Sequence, residues 1–287
     1  EAATAKQVSE FLVNLFREAN PSQANGVLTA RDLLVSGQQR LNRELKDQPE
    51  LQARLLVNIG EAYTVIGALS EARKAIEESI KLRESAFGAD SIQVADSWNA
   101  LSDVFYNDGD YKGSSEACRK ALEINQKHQG IDSNDALQDR NCLAMSLSAA
   151  GRIEEAEQEI RAAVESDRRR NDQSLSAAAR LETYGTILRR RGDFRSAAPI
   201  LRESMERQQR LKGENSTARI SNELALALQR AGEYEQALEA FARTKSLAVK
   251  VYGPDHSNIA MIAGSVSLSL LRLGRFAEAE AEARTAL

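Results

Sequence analysis

The sequence predicts an all-α chain, a right-handed superhelical solenoid of antiparallel helix hairpins with an N-terminal capping hairpin. A glycine followed two residues later by an aromatic or branched apolar residue, and three after that by a small one, recurs six times. The copies are Gly67-Leu69-Ala72, Gly109-Tyr111-Ser114, Gly151-Ile153-Ala156, Gly192-Phe194-Ala197, Gly232-Tyr234-Ala237 and Gly274-Phe276-Ala279. Successive glycines are 42, 42, 41, 40 and 42 residues apart, and a fixed period of that size marks stacked repeats, each touching its neighbours, instead of one closed core. Aromatic residues make up 5% of the chain and there are only four prolines. Abundant Ala, Leu, Glu, Arg and Gln beside them favour helices packed through small residues.

The first fifty residues stand apart. Val8, Phe11, Leu12, Leu15 and Phe16 have helical spacing and predict an amphipathic helix ending near Asn20-Pro21. After a loop to Gly26, Ala30, Leu34 and Leu41 predict a second helix, and Ala30 precedes Ala72 by 42 residues, in register with the repeats. Residues Ala5 to Pro49 therefore read as a hairpin that covers the open end of the stack, giving a capping segment at 1–50 and six repeats over 51–287.

Within each repeat a first helix precedes the glycine, with stripes such as Leu56, Ile59, Tyr63, Ile66 or Trp98, Leu101, Phe105. A second follows it, as in Ala72, Ile76, Ile80 and in Ala237, Phe241, Leu247. The glycine suits a left-handed residue that ends the first helix and lets the chain reverse. Gly60, Ser102, Ala144, Gly185, Ala225 and Ser267, each seven residues before its glycine, provide the small surface needed where paired helices approach. Between repeats, the segments Ala86 to Ser91, His128 to Ser133, Lys212 to Ser216 and Val251 to Asn258 each carry a glycine and a polar residue able to cap the next helix.

This pattern of small residue, bulky apolar residue, glycine, aromatic and alanine resembles the tetratricopeptide repeat (TPR) over about Leu51 to Leu287. The family's usual unit has 34 residues. The longer period here, with the linker Val251-Tyr252-Gly253-Pro254-Asp255-His256-Ser257-Asn258, resembles kinesin-light-chain-like arrays and implies helices about one turn longer. The opening segment, Ala2 to Leu12 with Leu15-Phe16, Asn20-Pro21 and Leu28 to Leu34, resembles the segment that opens the TPR region of bacterial serine/threonine protein kinases. That second resemblance implies a kinase domain and a single membrane helix upstream in a parent protein. The chain starts at Glu1 without a methionine and ends at Leu287 inside a helical pattern, so a piece of a longer protein is expected.

Catalytic parts are not found in the sequence. There is no glycine-rich phosphate loop, no His-Arg-Asp loop and no Asp-Phe-Gly motif, and Gly192-Asp193-Phe194 has those letters in another order at a repeat turn. The expectation is a non-enzymatic chain without cofactor or metal. The two histidines, His128 and His256, are assigned to linkers without partners for a zinc site or a hydrolase triad. Paired carboxylates such as Glu154-Glu155, Glu77-Glu78 and Glu278-Glu280 are expected on solvated helix faces. Arg168-Arg169-Arg170 falls at the end of a second helix, where cations complement the dipole. Cys118 and Cys142 read as small packing residues, with a disulfide in an oxidising compartment as the alternative.

The formal net charge of -4 argues against nucleic acid as a partner, and no apolar run is long enough to span a bilayer. A soluble fragment is expected, cytoplasmic, or extracytoplasmic if a membrane helix precedes it in the parent.

The functional expectation rests on the face that the first helices of such arrays turn toward a groove. One position of that face is Val57, Asn99, Asn141, Glu182, Asn222 and Gly264. An asparagine amide both donates and accepts, so Asn99, Asn141 and Asn222 suit the backbone of an extended protein or peptide ligand. Further along are Glu61, Asp103, Tyr106 and Met145, then Arg189, Arg190, Arg230 and Arg272. This predicts a groove that is acidic early and basic late, fixing the direction of a bound peptide. In a kinase, such a region would recruit substrates or partners as a regulatory scaffold. The competing expectation is a self-assembly module that dimerises a multidomain regulator.

Overall fold

The computed structural model describes residues 29–253 and 256–285, and the helix expected around Val8 to Phe16 lies outside them. Thirteen α-helices account for nearly all described residues, and no strand occurs among them. In chain order they are α1 (Ala30–Glu44), α2 (Pro49–Val65), α3 (Leu69–Phe87), α4 (Ile92–Asn107), α5 (Tyr111–Gln129), α6 (Asn134–Ala149), α7 (Ile153–Arg169), α8 (Leu175–Arg191), α9 (Phe194–Lys212), α10 (Ala218–Ala231), α11 (Tyr234–Tyr252), α12 (Ser257–Arg272) and α13 (Phe276–Arg284). The chain divides into two compact units, Glu1–Ala150 and Gly151–Leu287, and the boundary falls at a repeat glycine.

In the first unit α2 pairs with α3 and α4 with α5, while α3 packs on α4 and α5 on α6, so each hairpin leans on the next. The first helices α2, α4 and α6 also touch in succession. The second unit repeats this with the hairpins α8–α9, α10–α11 and α12–α13, α7 resting on α8 and α8 reaching α10. Buried Leu, Ile and Ala fill both interiors, around Leu56, Tyr63 and Ile76 in the first and around Leu201, Phe241 and Leu224 in the second. Ahead of these hairpins, α1 opens with a capping box between Thr29 and Asp32 and buries Leu41 completely.

The local rules read from sequence act as expected at the turns. All six repeat glycines have φ between 75° and 90°, at Gly274 and Gly192 respectively, a region where a Cβ is costly. The third linker lacks a glycine, and Asn171 takes positive φ (52°) in its place, as asparagine tolerates better than most residues. Ser133 and Ser174 cap α6 and α8 through their hydroxyls, whereas the Ser91 side chain makes no such bond. Two boundaries correct the sequence reading. Second helices such as α3 and α5 run to 19 residues, so His128 stands in the last turn of α5, not in a linker, with Nε2 2.7 Å from the Asp90 carbonyl.

The small residues are where helices come closest. A Cβ on Gly60 would meet Ile76 Cγ1 at 2.5 Å, and one on Gly185 would meet Leu201 Cγ at 2.6 Å and the Leu201 backbone nitrogen at 3.3 Å. Gly185→Val is therefore expected to lower stability by roughly 1–3 kcal/mol through overpacking, visible as a reduced melting temperature. An unchanged melting curve would contradict the α8–α9 packing.

Candidate partner-binding site

The repeats are joined at one recurring position, eleven residues after each small residue of the second helix, which meets the next first helix. Arg83 there is buried, donating to the Gln93 carbonyl at 2.5 Å and to Ser97 Oγ at 3.0 Å. At the next junction Asn125 Nδ2 donates to Asp139 Oδ2 at 2.8 Å. In the second unit Asp167 receives a two-bond fork from Arg180, Nε at 2.6 Å and Nη2 at 2.7 Å, and Arg180 is 1% exposed. The final junction has Ala248 and Ile262 at the same places.

That last substitution coincides with a cavity of about 420 Å³. Ala218, Arg219, Asn222 and Leu226 of α10 form one wall, Thr244 and Ala248 of α11 the floor, and Asn258, Met261, Ile262 and Ser265 of α12 the other wall. Alanine fills less space than the Arg, Asn, Asp or Gln that precedes it in the series, and the walls α10 and α12 are joined further along by Gln229, whose Nε2 donates to the Ser265 carbonyl at 2.7 Å and to Ser269 Oγ at 2.8 Å. The lining is largely apolar, with amides, hydroxyls and Arg219 at intervals, the composition of a ligand pocket. Arg219 is tethered, its Nη2 2.8 Å from Glu182, which also accepts from Gln208 Nε2 at 2.9 Å. Across the cavity, Met261 is 67% exposed and Leu268 45% exposed, and a Cβ at Gly264 between them would meet nothing within 4 Å.

The predicted asparagine row splits three ways. Asn99 is half-buried and spans a junction, donating through Nδ2 to Asp139 Oδ1 at 2.7 Å. Asn141 is buried, its Nδ2 3.7 Å from Met145 Sδ and its carbonyl oxygen without a hydrogen-bond partner. Asn222 alone lines the cavity. In the first unit Asp103 is exposed, but surrounding protein strips water from its carboxyl and the Glu61 carboxylate adds repulsion, both raising its pKa. Tyr106 stands edge-on to Tyr111 at 5.3 Å, and Met145 is 41% exposed.

In the second unit the predicted cations have local partners. Arg189 Nε donates to Glu223 at 2.7 Å, and the Arg230 guanidinium lies 5.5 Å from the Phe194 ring centre. Arg190 and Arg272 are exposed on α8 and α12. Sequence reasoning missed Asn258, Met261, Ser265 and Arg219. The spacing Asn258, Met261, Ser265, Leu268 on one helix, and the alanine at the last junction, were the signals that could have found them.

The sulfurs of Cys118 and Cys142 are bonded, joining α5 to α6 with a Cα–Cα distance of 5.9 Å, within the usual range for a disulfide. This corrects the packing-residue expectation: the cysteines face each other across a repeat junction. Among the described residues, no group of His, Cys, Asp and Glu could hold a metal ion, and no helix is long and apolar enough to cross a membrane.

The family model for the tetratricopeptide repeat matches residues 51–127 and 216–287, and a second tetratricopeptide repeat model matches 140–162. The chain belongs to the tetratricopeptide repeat family, an interaction fold and not a catalytic one. Among solved structures it is similar to BtubC (BKLC) from P. vanneervenii, at 19% identity and TM-score 0.65, covering 76% of this chain and 89% of that one. A putative kinesin light chain of Podosopora anserina with nearly identical TPR-like repeats aligns at 19% identity and TM-score 0.60, over 71% and 98% of the two chains. A Rap protein complexed with Competence and Sporulation Factor aligns at 13% identity and TM-score 0.60, over 100% and 97%. At these identities the likeness is one of fold. A comparison with curated proteins gives no match.

Two predictions follow from the junction chemistry. Burial pushes the Asp139 carboxyl up to about 6, against the lowering effect of the Asn125 and Asn99 hydrogen bonds. Because the folded value exceeds the ordinary 3.8, this residue's contribution is fully present below about pH 4 and is lost as pH rises through 6, by up to about 3 kcal/mol. Asp139→Asn should flatten the decline in melting temperature between pH 4.5 and 7.5, and an unaltered slope would refute the assignment.

The asparagines should also separate by stability. Asn99→Ala removes a donor from a buried carboxylate and should cost roughly 1.5–3 kcal/mol, while Asn222→Ala should stay within about 0.5 kcal/mol. Equal melting temperatures for the two variants would contradict this division.

Proposed function

We propose that this chain is a protein-interaction module that binds an extended segment of a protein partner along its first helices and anchors an apolar side chain of that segment in the Asn222 cavity. The observation that carries the reading is the cavity itself, an apolar recess on α10 and α12 with Asn222 and Asn258 able to pair with a peptide backbone. The Rap structure with Competence and Sporulation Factor is one case of this fold in complex with another molecule, and it lends support by analogy of fold alone.

In the first unit Asn99 serves its junction and Asn141 is buried, so ligand contact there falls to Asp103, Tyr106 and Met145. In the second, the candidate cationic contacts are Arg189, Arg190, Arg230 and Arg272, and Arg189 would exchange its Glu223 ion pair for the partner. The finer assignment, a regulatory scaffold of a bacterial serine/threonine kinase, is supported by the resemblance of residues 2–34; the family match starts at residue 51.

A second reading, self-association, is favoured by Leu271 and Phe276, 48% and 69% exposed on neighbouring helices. Light scattering across a concentration series separates the two, since a stable dimer supports it and a monomer at all concentrations removes it.

The cavity reading is tested with a displayed library of linear peptides selected on the whole chain. Selected peptides should share an apolar anchor, and Met261→Glu should weaken them at least tenfold, about 1.4 kcal/mol, without moving the melting temperature. Equal affinity for the variant, or no selected peptide, would overturn the reading.

A further inference from the structure

We propose a second binding site on the outer side of the first unit: a cleft floored by Trp98 and Phe105 that receives an arginine or lysine side chain of a basic protein partner. The cleft, about 490 Å³, opens where α4 is visible between the second helices α3 and α5. It is therefore built from elements other than those that carry the Asn222 cavity.

The chemistry of the floor is displayed by the protein's own cations. Lys120 Nζ lies 3.8 Å from the centre of the Trp98 ring, and the Arg73 guanidinium lies 4.9 Å from the centre of the Phe105 ring. Lys120 is exposed, and Glu116 stands one turn before it on α5, at the spacing of a helical ion pair. Its ammonium nevertheless rests on the indole face, which attracts cations through its quadrupole. The two rings thus offer adjacent cation-binding surfaces along one trough.

The rim adds a matching field. Glu77, Glu84, Asp110 and Glu116 outnumber Arg73, Lys81 and Lys120 around the opening. Arg73 is held further in its charged form by the Glu77 hydrogen bond, against some loss of solvation, with Glu77, Asp110 and Asp108 adding to the attraction. An incoming guanidinium or ammonium meets net negative charge at the rim and an aromatic floor beneath it. A displaced Lys120 ammonium would turn toward Glu116, one turn before it, a carboxylate that also faces Lys112 Nζ at 3.9 Å.

Trp98 is the only tryptophan of the chain, so its emission reports on this cleft alone. Tetramethylammonium chloride and N-acetyl-arginine amide, titrated into the whole chain against equal sodium chloride, should change that emission saturably. Lys120→Ala clears the ring and should lower the apparent Kd at least threefold. Glu84→Gln combined with Glu116→Gln should raise it at least threefold. These residues lie on the rim, and far-ultraviolet circular dichroism should be unchanged.

A hexa-arginine peptide should bind more tightly than the single arginine, and a hexaglutamate peptide should leave the emission unaltered. The proposal is overturned by a non-saturating response equal to that of free N-acetyltryptophanamide, by no effect of Lys120→Ala, or by saturable binding of hexaglutamate. Met261→Glu should leave this titration intact, so the outcome is independent of the Asn222 cavity.

Discussion

The contact on which the array depends is the buried meeting of each second helix with the first helix that follows it. A helix hairpin cannot bury its own apolar stripe completely, so each repeat is stable only against a neighbour. The small residues Ser79 and Ser97, or Ser114 and Ser146, close these seams through hydroxyl pairs at 3.0 and 2.7 Å. One step along, the seam takes a longer polar pair, with a different chemistry each time: Arg83 on Ser97, Asn125 on Asp139, Asp167 on Arg180. A buried charge without its partner is expensive by several kcal/mol, so Asp167 or Arg180 facing an unrelated repeat would be penalised. Individual junction chemistry thereby ties each repeat to its own successor, in a stack whose apolar pattern alone would tolerate other orders.

The same position governs where a cavity opens. At the junctions that carry Arg, Asn or Asp the position is filled by a hydrogen-bonded polar side chain, and the asparagine beside one of them, Asn99, is consumed by holding Asp139. At the last junction the residue shrinks to Ala248, the partner is Ile262, and the space between α10 and α12 opens. Asn222 occupies the repeat position of Asn99, yet it faces a cavity because the residue that would bind it has no counterpart there. Identical residue types at equivalent positions thus acquire opposite roles from a neighbour 40 residues away in sequence, Asp139 for Asn99 and Ile262 for Asn222.

This explains how far the sequence could be read. Helix type, the hairpin period and the close approaches at Gly60 and Gly185 were legible, because they follow from local backbone chemistry repeated in register. The need for positive φ was equally plain at the glycines, and Asn171 shows the same demand met by another residue. The groove row was legible only as a row. Whether Asn99 or Asn222 meets a carboxylate or lines a cavity is decided by residues of the adjoining repeat, whose side-chain directions no periodicity supplies, while Asn141 turns to the Met145 thioether one turn on in its own helix. The disulfide was hidden for a related reason: Cys118 and Cys142 stand 24 residues apart on helices of successive repeats, and their meeting depends on the rotation of one hairpin against the next.

The aromatic positions carry the argument to the other side of the stack. Trp98 and Phe105 belong to the apolar stripe of α4 and pack on the core of the first unit, yet each also offers a ring face to the gap between α3 and α5. A solenoid has this property throughout, since a first helix is covered by its own second helix and by the one before it, with a seam between them. Where it exposes aromatic faces beneath cations, as with Lys120 over Trp98 and Arg73 over Phe105, the residues that hold the hairpin together become a surface that selects for cations. Packing and recognition then draw on the same side chains, and a substitution at Trp98 cannot alter one without the other.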